Sequence, residues 1–367
     1  MPTKAPRARR STSGPVSKPD SSAGTRAAPR LNGVPTFCRH NRFVERCPIC
    51  SKTLAAAAIE KSATKPRRAA TKGASARPRH PRLRAGGNEV RVKHENRAGD
   101  DGYRSGLLPG LRASGDAEEL AQEIAFAHGR LLALGAAPPD LYGEIRALAE
   151  QDIERATWIC FLTAYLSPLE GEDPFAGIRI ALAATRGDAD DLGLGDLDEI
   201  PLGPRTSHDP ARGPSTLLAY RHWAERAGTQ RQAFEGDPEW SPERRFERGF
   251  ERLALPGLGR MGRYDLLVTL GWLGCYEMRA DSLHMTSASD AHSGDLTTLA
   301  AKRVFAIGDP LLLERRARAL AEAVSVPIET LDLALANWGS GSRATLGVHG
   351  ECSDPHTLER CREAFEL

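Results

Sequence analysis

The sequence predicts an all-α fold, and three observations predict it. Apolar residues recur at helical spacing from about residue 114 onward. Ser, Asp and Pro sit where helix starts need them, and nowhere does a stretch alternate apolar and polar residues as a half-buried strand would.

The elements follow in order. "GDAEELAQEIAFAHGRLLALG" opens on Asp116 as N-cap, carries Glu119 at the capping-box position and stops at Gly135. "DLYGEIRALAE" and "DIERATWICFLTAYLSP" read as two further helices, and "DPFAGIRIALAAT" as another with Pro174 in its first turn. Residues 186–214, rich in Gly, Asp and Pro, read as a long loop. Helical texture resumes at "STLLAYRHWAERAG" and at "SPERRFERGFERLA", whose Ser241–Pro242 pair is an N-cap followed by an N1 proline. Asp309–Pro310 does the same for "DPLLLERRARALAEAV". There Leu313, Ala317, Leu320, Ala321 and Val324 share one face, and Glu314, Arg315, Arg318 and Glu322 are assigned to the solvent side. "DLTTLAAKRVFAI" and "PIETLDLALANW" complete about ten helices without an internal repeat, hence one helical domain over 114–340 and a C-terminal tail over 341–367.

Ahead of the helices lies a different chain. Residues 1–100 hold 23 Lys plus Arg against 6 Asp plus Glu, a net +17, while residues 101–367 hold 27 against 42, a net −15. The near-neutral whole therefore joins a basic arm to an acidic body, and such an arm is drawn to polyanions, DNA foremost. Residues 1–34 and 55–113 read as disordered tail and linker, too poor in apolar surface to offset chain entropy. Between them, over 35–54, Cys38, His40, Cys47 and Cys50 form C-x-H-x6-C-x2-C, a ligand set for one tetrahedral structural zinc. A redox Cys-x-x-Cys is the competing reading, but it leaves Cys38 and His40 without a part. A later group, His349, Cys352, His356 and Cys361, has irregular spacing and reads as chance placement on a surface helix. No apolar run approaches a bilayer's width, and the expected setting is cytoplasmic.

The stretch "LPGLGRMGRYDLLVTLGWLG" (255–274) is the densest in chemistry. Gly257 and Gly259 permit positive φ in a turn between two helices, and the turn brings backbone N–H groups to a helix N-terminus whose dipole favours an anion. Arg260 and Arg263 are placed to flank a bound phosphate, although a plain corner between helices would use the same residues. The following helix is apolar on nearly every side and is expected to be buried.

"LPGLGR", a buried helix and then "RADSLHM" together resemble the helix-hairpin-helix DNA glycosylase superfamily. The resemblance places Asp281 at the superfamily's catalytic aspartate and Met261 at its lyase lysine, so Schiff-base lyase chemistry is not expected. The superfamily's four-cysteine iron–sulfur loop has no counterpart. "RYDLLVTLGWLG", "ADSLHM" and "TTLAAKRVFAIGDPLLLERRARALAEA", read through "ETLDLALANWG", look like the α-glutamyl/putrescinyl thymine pyrophosphorylase group, clade 3, with weaker likeness back to about residue 115.

That resemblance implies a thymine-like base in double-stranded DNA whose 5-hydroxymethyl group carries pyrophosphate, displaced by a small amine such as glutamate or putrescine. Asp281 is the candidate proton acceptor; it also reads as N-cap of a short helix over "DSLHM". Lys302 is the sole lysine after residue 100 and, with Arg303, is the candidate clamp for pyrophosphate, against the plainer reading of a solvated helix residue. His284 and Tyr264 are candidates to line the pocket, a Tyr bonded to a backbone group being the commoner outcome, and Trp338 reads as core. Two other functions fit the same residues: a monofunctional glycosylase, and a non-catalytic zinc-containing DNA-binding protein.

Overall fold

A computed structural model of the chain describes residues 99–184, 199–286, 295–349 and 352–367. The expected zinc ligands Cys38, His40, Cys47 and Cys50, and the arm as far as residue 98, lie outside the described residues. Among the described residues every regular element is a helix. In chain order these are α1 (Ser114–Ala136), α2 (Asp140–Ala149), α3 (Ile153–Leu166), α4 (Ala176–Ala184), α5 (Gly213–Ala227), α6 (Gln230–Glu235), α7 (Pro242–Arg252), α8 (Arg260–Trp272), α9 (Leu296–Phe305), α10 (Pro310–Ala323), α11 (Thr330–Ser340) and α12 (Pro355–Phe365).

α1 starts earlier than Asp116 because a distant side chain supplies its first-turn partner. The Asp101 carboxylate accepts from Ser114 N at 2.9 Å and from Ser114 Oγ at 2.5 Å, leaving Asp116 inside the first turn. Segment 99–113, expected as linker, is thereby drawn onto the body, and Leu108 and Leu111 are buried. Cap residues read from the sequence act as expected elsewhere: Ser241 and Asp309 each accept from an amide three residues on, Arg244 and Leu312 in turn, and Asp152 does the same for Arg155. Pro174 falls in the turn before α4. α6 was not expected; Thr229 caps it by accepting from Gln232 N.

The core forms around α3, which is enclosed from Ala156 to Leu166. Trp158, Phe161 and Tyr165 stack along one face of α3, and Phe161 meets Tyr220 of α5 with ring centroids 3.7 Å apart. α3 packs on α2, α4, α6 and α8, whereas α1 packs on α11, α12 and α8, so α8 stands between the two groups. Its Leu266, Leu267 and Leu270 are fully enclosed, and truncating one such leucine costs about 2–5 kcal/mol. The apolar stripe of α10 is buried as its spacing requires. The expected tail folds as α12 because Thr357, Cys361 and Phe365 make one buried face against α1, behind Asp354 as N-cap.

Candidate functional site

α7 ends at Arg252 and α8 begins at Arg260, and the turn between them is built by two short backbone bonds, Leu255 N to Leu253 O and Leu258 N to Leu255 O. Leu258 anchors the turn in the core. Its glycines differ in kind. Gly257 has φ of 78° and packs so closely that a Cβ would stand 2.0 Å from Thr216 Oγ1. Gly259 is the N-cap of α8 with φ of −69°, an ordinary value, and a Cβ there would meet open space. Positive φ, expected at both, is thus required only at Gly257.

That open space is a cleft of about 620 Å³. It is lined by the turn and first residues of α8 (Gly257, Gly259, Arg260, Met261 and Arg263), by Thr206, Ser207 and Asp209, and by Thr286 and Asp295. No side chain caps α8, so the first-turn amides and the positive end of the helix dipole belong to the cleft wall. Met261 contributes a thioether where Schiff-base chemistry would need an amine.

Arg260 is turned inward rather than flanking the turn. Nε donates to Asp295 at 2.9 Å, Nη2 to Asp332 at 2.7 Å and Nη1 to the Leu283 carbonyl at 2.8 Å. The other oxygen of Asp332 accepts from Arg205 at 2.7 Å, and Arg205 in turn grips Asp265 through Nε and Nη2 at 3.0 and 2.9 Å. Burial pushes the Asp332 carboxyl up, but the Arg260 and Arg205 guanidiniums outweigh it and hold the group below the usual carboxylate range. Asp295, which also accepts from Thr286 Oγ1 and Thr298 Oγ1, joins this buried chain of charges to the cleft. An unpaired guanidinium available for a phosphate is therefore not what Arg260 offers.

Arg263 is half-buried, with its guanidinium over an aromatic ring. Its Cζ lies 4.3 Å from the Phe250 ring centroid, Nη1 donates to Phe250 O at 3.1 Å and Nε to Gly259 O at 3.3 Å. Burial and the like charge of Arg260 draw its pKa below the ordinary arginine value. Phe250 also stacks on His284 with centroids 3.9 Å apart and planes 10° apart. His284 is driven down to about 4 by burial, with Arg260 and Arg263 adding to the effect, so its ring is neutral at pH 7. Tyr264 is core, its hydroxyl donating to Ser282 O at 3.2 Å.

The segment 280–285 is not a helix, and it is held by side chains from α8 and α10 and by Glu329, just ahead of α11. Glu329 accepts from Ala280 N, Arg318 donates to Asp281 O, Tyr264 to Ser282 O and Arg260 to Leu283 O, while Glu314 accepts from both Leu283 N and Met285 N at 2.8 and 2.6 Å. His284 adopts φ of 51°, the left-handed region, within this frame. Glu314, assigned to the solvent face by helical spacing, instead points at this loop because two orphan amides need an acceptor. Asp281 caps nothing; its carboxylate is exposed, with Arg318 Nη2 3.7 Å away.

Asp281, Lys302 and Arg303 do not line the cleft. Lys302 is exposed in the last turn of α9, and Arg303 Cζ lies 4.7 Å over the ring of Trp338, itself buried with Nε1 donating to Asp116 O. α9 starts beside Asp295, so two helical turns, about 10 Å, separate these cations from the cleft. Among the described residues no three His, Cys, Asp or Glu side chains are gathered to hold a metal; Cys352 and Cys361 are free thiols. No described helix is long and apolar enough to cross a membrane.

The residues missed by sequence reasoning are Arg205, Asp265, Asp295, Asp332 and Glu314. One signal was available: Asp332 interrupts the apolar run "TLDLALANW", and a carboxylate on a buried helix must be paired.

Residues 208–345 match the family described as alpha-glutamyl/putrescinyl thymine pyrophosphorylase clade 3. Comparisons with curated proteins and with solved structures returned no match. The matched stretch begins ahead of the run from Arg263 that carries the sequence resemblance, and stops short of the extension toward residue 115. Except for Thr206 and Ser207 it contains the whole lining of the cleft, and it also contains the pinned segment with Asp281, and Lys302, Arg303, Glu314 and Asp332. Over residues 208–345 the chain is similar to the alpha-glutamyl/putrescinyl thymine pyrophosphorylase family, clade 3.

Proposed function

We propose that this protein hypermodifies DNA bases, displacing pyrophosphate from a 5-pyrophosphoryloxymethyl-uracil base in double-stranded DNA with an amine of the glutamate or putrescine type. The observation that carries the reading is the coincidence of the family match with the cleft and the pinned segment beside it. In the reaction the amine nitrogen bonds to the exocyclic methylene carbon, the bond from that carbon to oxygen breaks, and pyrophosphate departs with the electron pair. The ammonium nitrogen so formed then loses a proton.

A cleft of about 620 Å³ suits a base taken out of the helical stack. The α7–α8 turn supports the helix-hairpin-helix glycosylase-like reading, with the Gly257–Gly259 backbone and the uncapped end of α8 taking a DNA phosphate. Asp281 is the proposed proton acceptor. Its exposure leaves it free to meet substrate, and the bonds along 280–285 set its position beforehand. Lys302 and Arg303 are the proposed cations for departing pyrophosphate. The zinc knuckle and basic arm are proposed to add sequence-independent grip on DNA.

The test is incubation of the full chain with DNA containing 5-pyrophosphoryloxymethyl-deoxyuridine and glutamate or putrescine, followed by nucleoside mass spectrometry. An aminomethylated deoxyuridine and free pyrophosphate are expected, Asp281→Asn abolishing both while DNA affinity stays within about twofold. Release of the free base would identify a glycosylase instead, and tight binding with no turnover by the unaltered chain would identify a DNA-binding protein without chemistry.

A further inference from the structure

We infer that Arg263 is a flat platform on which the ring of the extruded pyrimidine stacks, rather than a phosphate clamp. This rests on the DNA-base reading above and adds a residue role to it. Three features of the side chain lead there. Two of its five N–H groups are already committed, Nη1 to Phe250 O at 3.1 Å and Nε to Gly259 O at 3.3 Å, so the guanidinium is held in place by the protein before any ligand arrives. Its Cζ lies 4.3 Å over the Phe250 ring, and the residue also lines the cleft. The Phe250 ring is itself stacked on His284, 3.9 Å between centroids and 10° between planes.

Arg263 and His284 therefore both pack on the Phe250 ring, and Arg263 is the member of this pile that lines the cleft. A planar ring entering the cleft adds to that pile through Arg263. A guanidinium stacks on the π-face of a nucleobase as it does on an aromatic ring, and its delocalised, weakly hydrated charge loses little when a base covers it. An ammonium has no such plane, so lysine cannot replace it even though charge is kept. Ser207 and Asp209, which also line the cleft, supply a hydroxyl and a carboxylate, complementary to the O4 and N3–H edge of a uracil ring.

The test uses the full chain and two duplexes, one with a single 5-hydroxymethyluracil opposite guanine and one with an abasic site at that position, over a salt series. Stacking predicts that the unaltered protein prefers the base-containing duplex by about 5-fold or more. Arg263→Lys is expected to bring that preference to within about twofold, leaving affinity for the abasic duplex and its salt slope unchanged. Arg263→Gln should erase the preference equally, which guards against a defect peculiar to lysine; both variants are compared with the parent by circular dichroism. A phosphate contact gives the opposite pattern: Arg263→Lys keeps the preference, and Arg263→Gln weakens both duplexes alike and lowers the salt slope by about one. That pattern, or no preference by the unaltered chain, overturns the platform while leaving DNA recognition standing. Failure of the unaltered chain to bind either duplex would instead overturn the DNA reading itself.

Discussion

Arg260 donates to Asp332 at 2.7 Å with both side chains almost fully enclosed, 4% and 2% exposed, and the same carboxylate holds Arg205 on its other oxygen. One acid thus ties the first residue of α8 to the loop that carries Arg205. Asp332→Asn leaves two guanidiniums short of a partner inside the protein, and is expected to cost about 3–5 kcal/mol of stability. Urea unfolding with an unchanged m-value would measure it; a loss under about 1 kcal/mol would mean that the pair holds little. Because the folded pKa of Asp332 is depressed, its contribution is complete above the unfolded value near 4 and fades as pH falls through the lower folded value. Acid unfolding of the variant should therefore begin from a lower plateau and show a shallower decline.

The two glycines of the α7–α8 turn should separate fold from function. Gly257→Ala forces a side chain onto a φ of 78° and into Thr216 Oγ1, with an expected cost of about 2–3 kcal/mol. Gly259→Ala meets neither problem, since its φ is ordinary and the space is open. Its melting temperature should match the parent, but DNA affinity should fall about tenfold because the methyl group stands in the cleft wall. Parental DNA affinity in Gly259→Ala would remove the turn from the DNA-binding surface.

The contrast between these glycines marks what sequence can carry. Local signals survived: Ser241–Pro242 and Asp309–Pro310 start helices because a cap and its amide are only three residues apart. Trp338 is core as read, and Tyr264, a candidate for the pocket lining, takes the commoner alternative of a buried ring bonded to a backbone carbonyl. What could not be read is whatever depends on partners far along the chain. Glu314 looks like a solvent-side residue in its own helix and becomes the acceptor for a loop about thirty residues earlier. Arg260 looks like a free cation beside a turn until Asp295 and Asp332 arrive from α9 and α11. Asp101 moves the start of α1 in the same way.

His284 predicts a pH dependence. Its folded pKa lies near 4, far below the ordinary 6.5, chiefly through burial, so between those values the unfolded chain binds more protons than the native one. Stability should accordingly rise with pH from about 4 to about 6.5 and level off above, by up to about 3 kcal/mol. His284→Asn keeps a residue tolerant of the left-handed backbone and removes the titrating group. Denaturant midpoints across that window should rise less steeply in the variant; an equal rise in both proteins would assign the dependence to other groups.

Glu314 carries a prediction that joins the loop to the chemistry. Its two oxygens take the amides of Leu283 and Met285, and burial raises its pKa while those amides pull it back. Glu314→Gln keeps the shape, but its NH2 group faces an amide donor, so one of the two bonds must go. Losing it should free the loop before it harms the helix: α10 still buries Leu313, Ala317 and Leu320, and the global cost should stay near 1–2 kcal/mol. Hydrogen exchange at the Leu283 and Met285 amides should quicken by about tenfold or more, with α10 amides little changed. If Asp281 accepts the proton from the attacking amine, turnover should fall by a similar factor at nearly constant DNA affinity, because the acid is then held in place less of the time. Faster exchange with full turnover would mean that the loop's rigidity serves the fold and not the reaction, and the proton acceptor would have to be sought among the residues lining the cleft, Asp209 first.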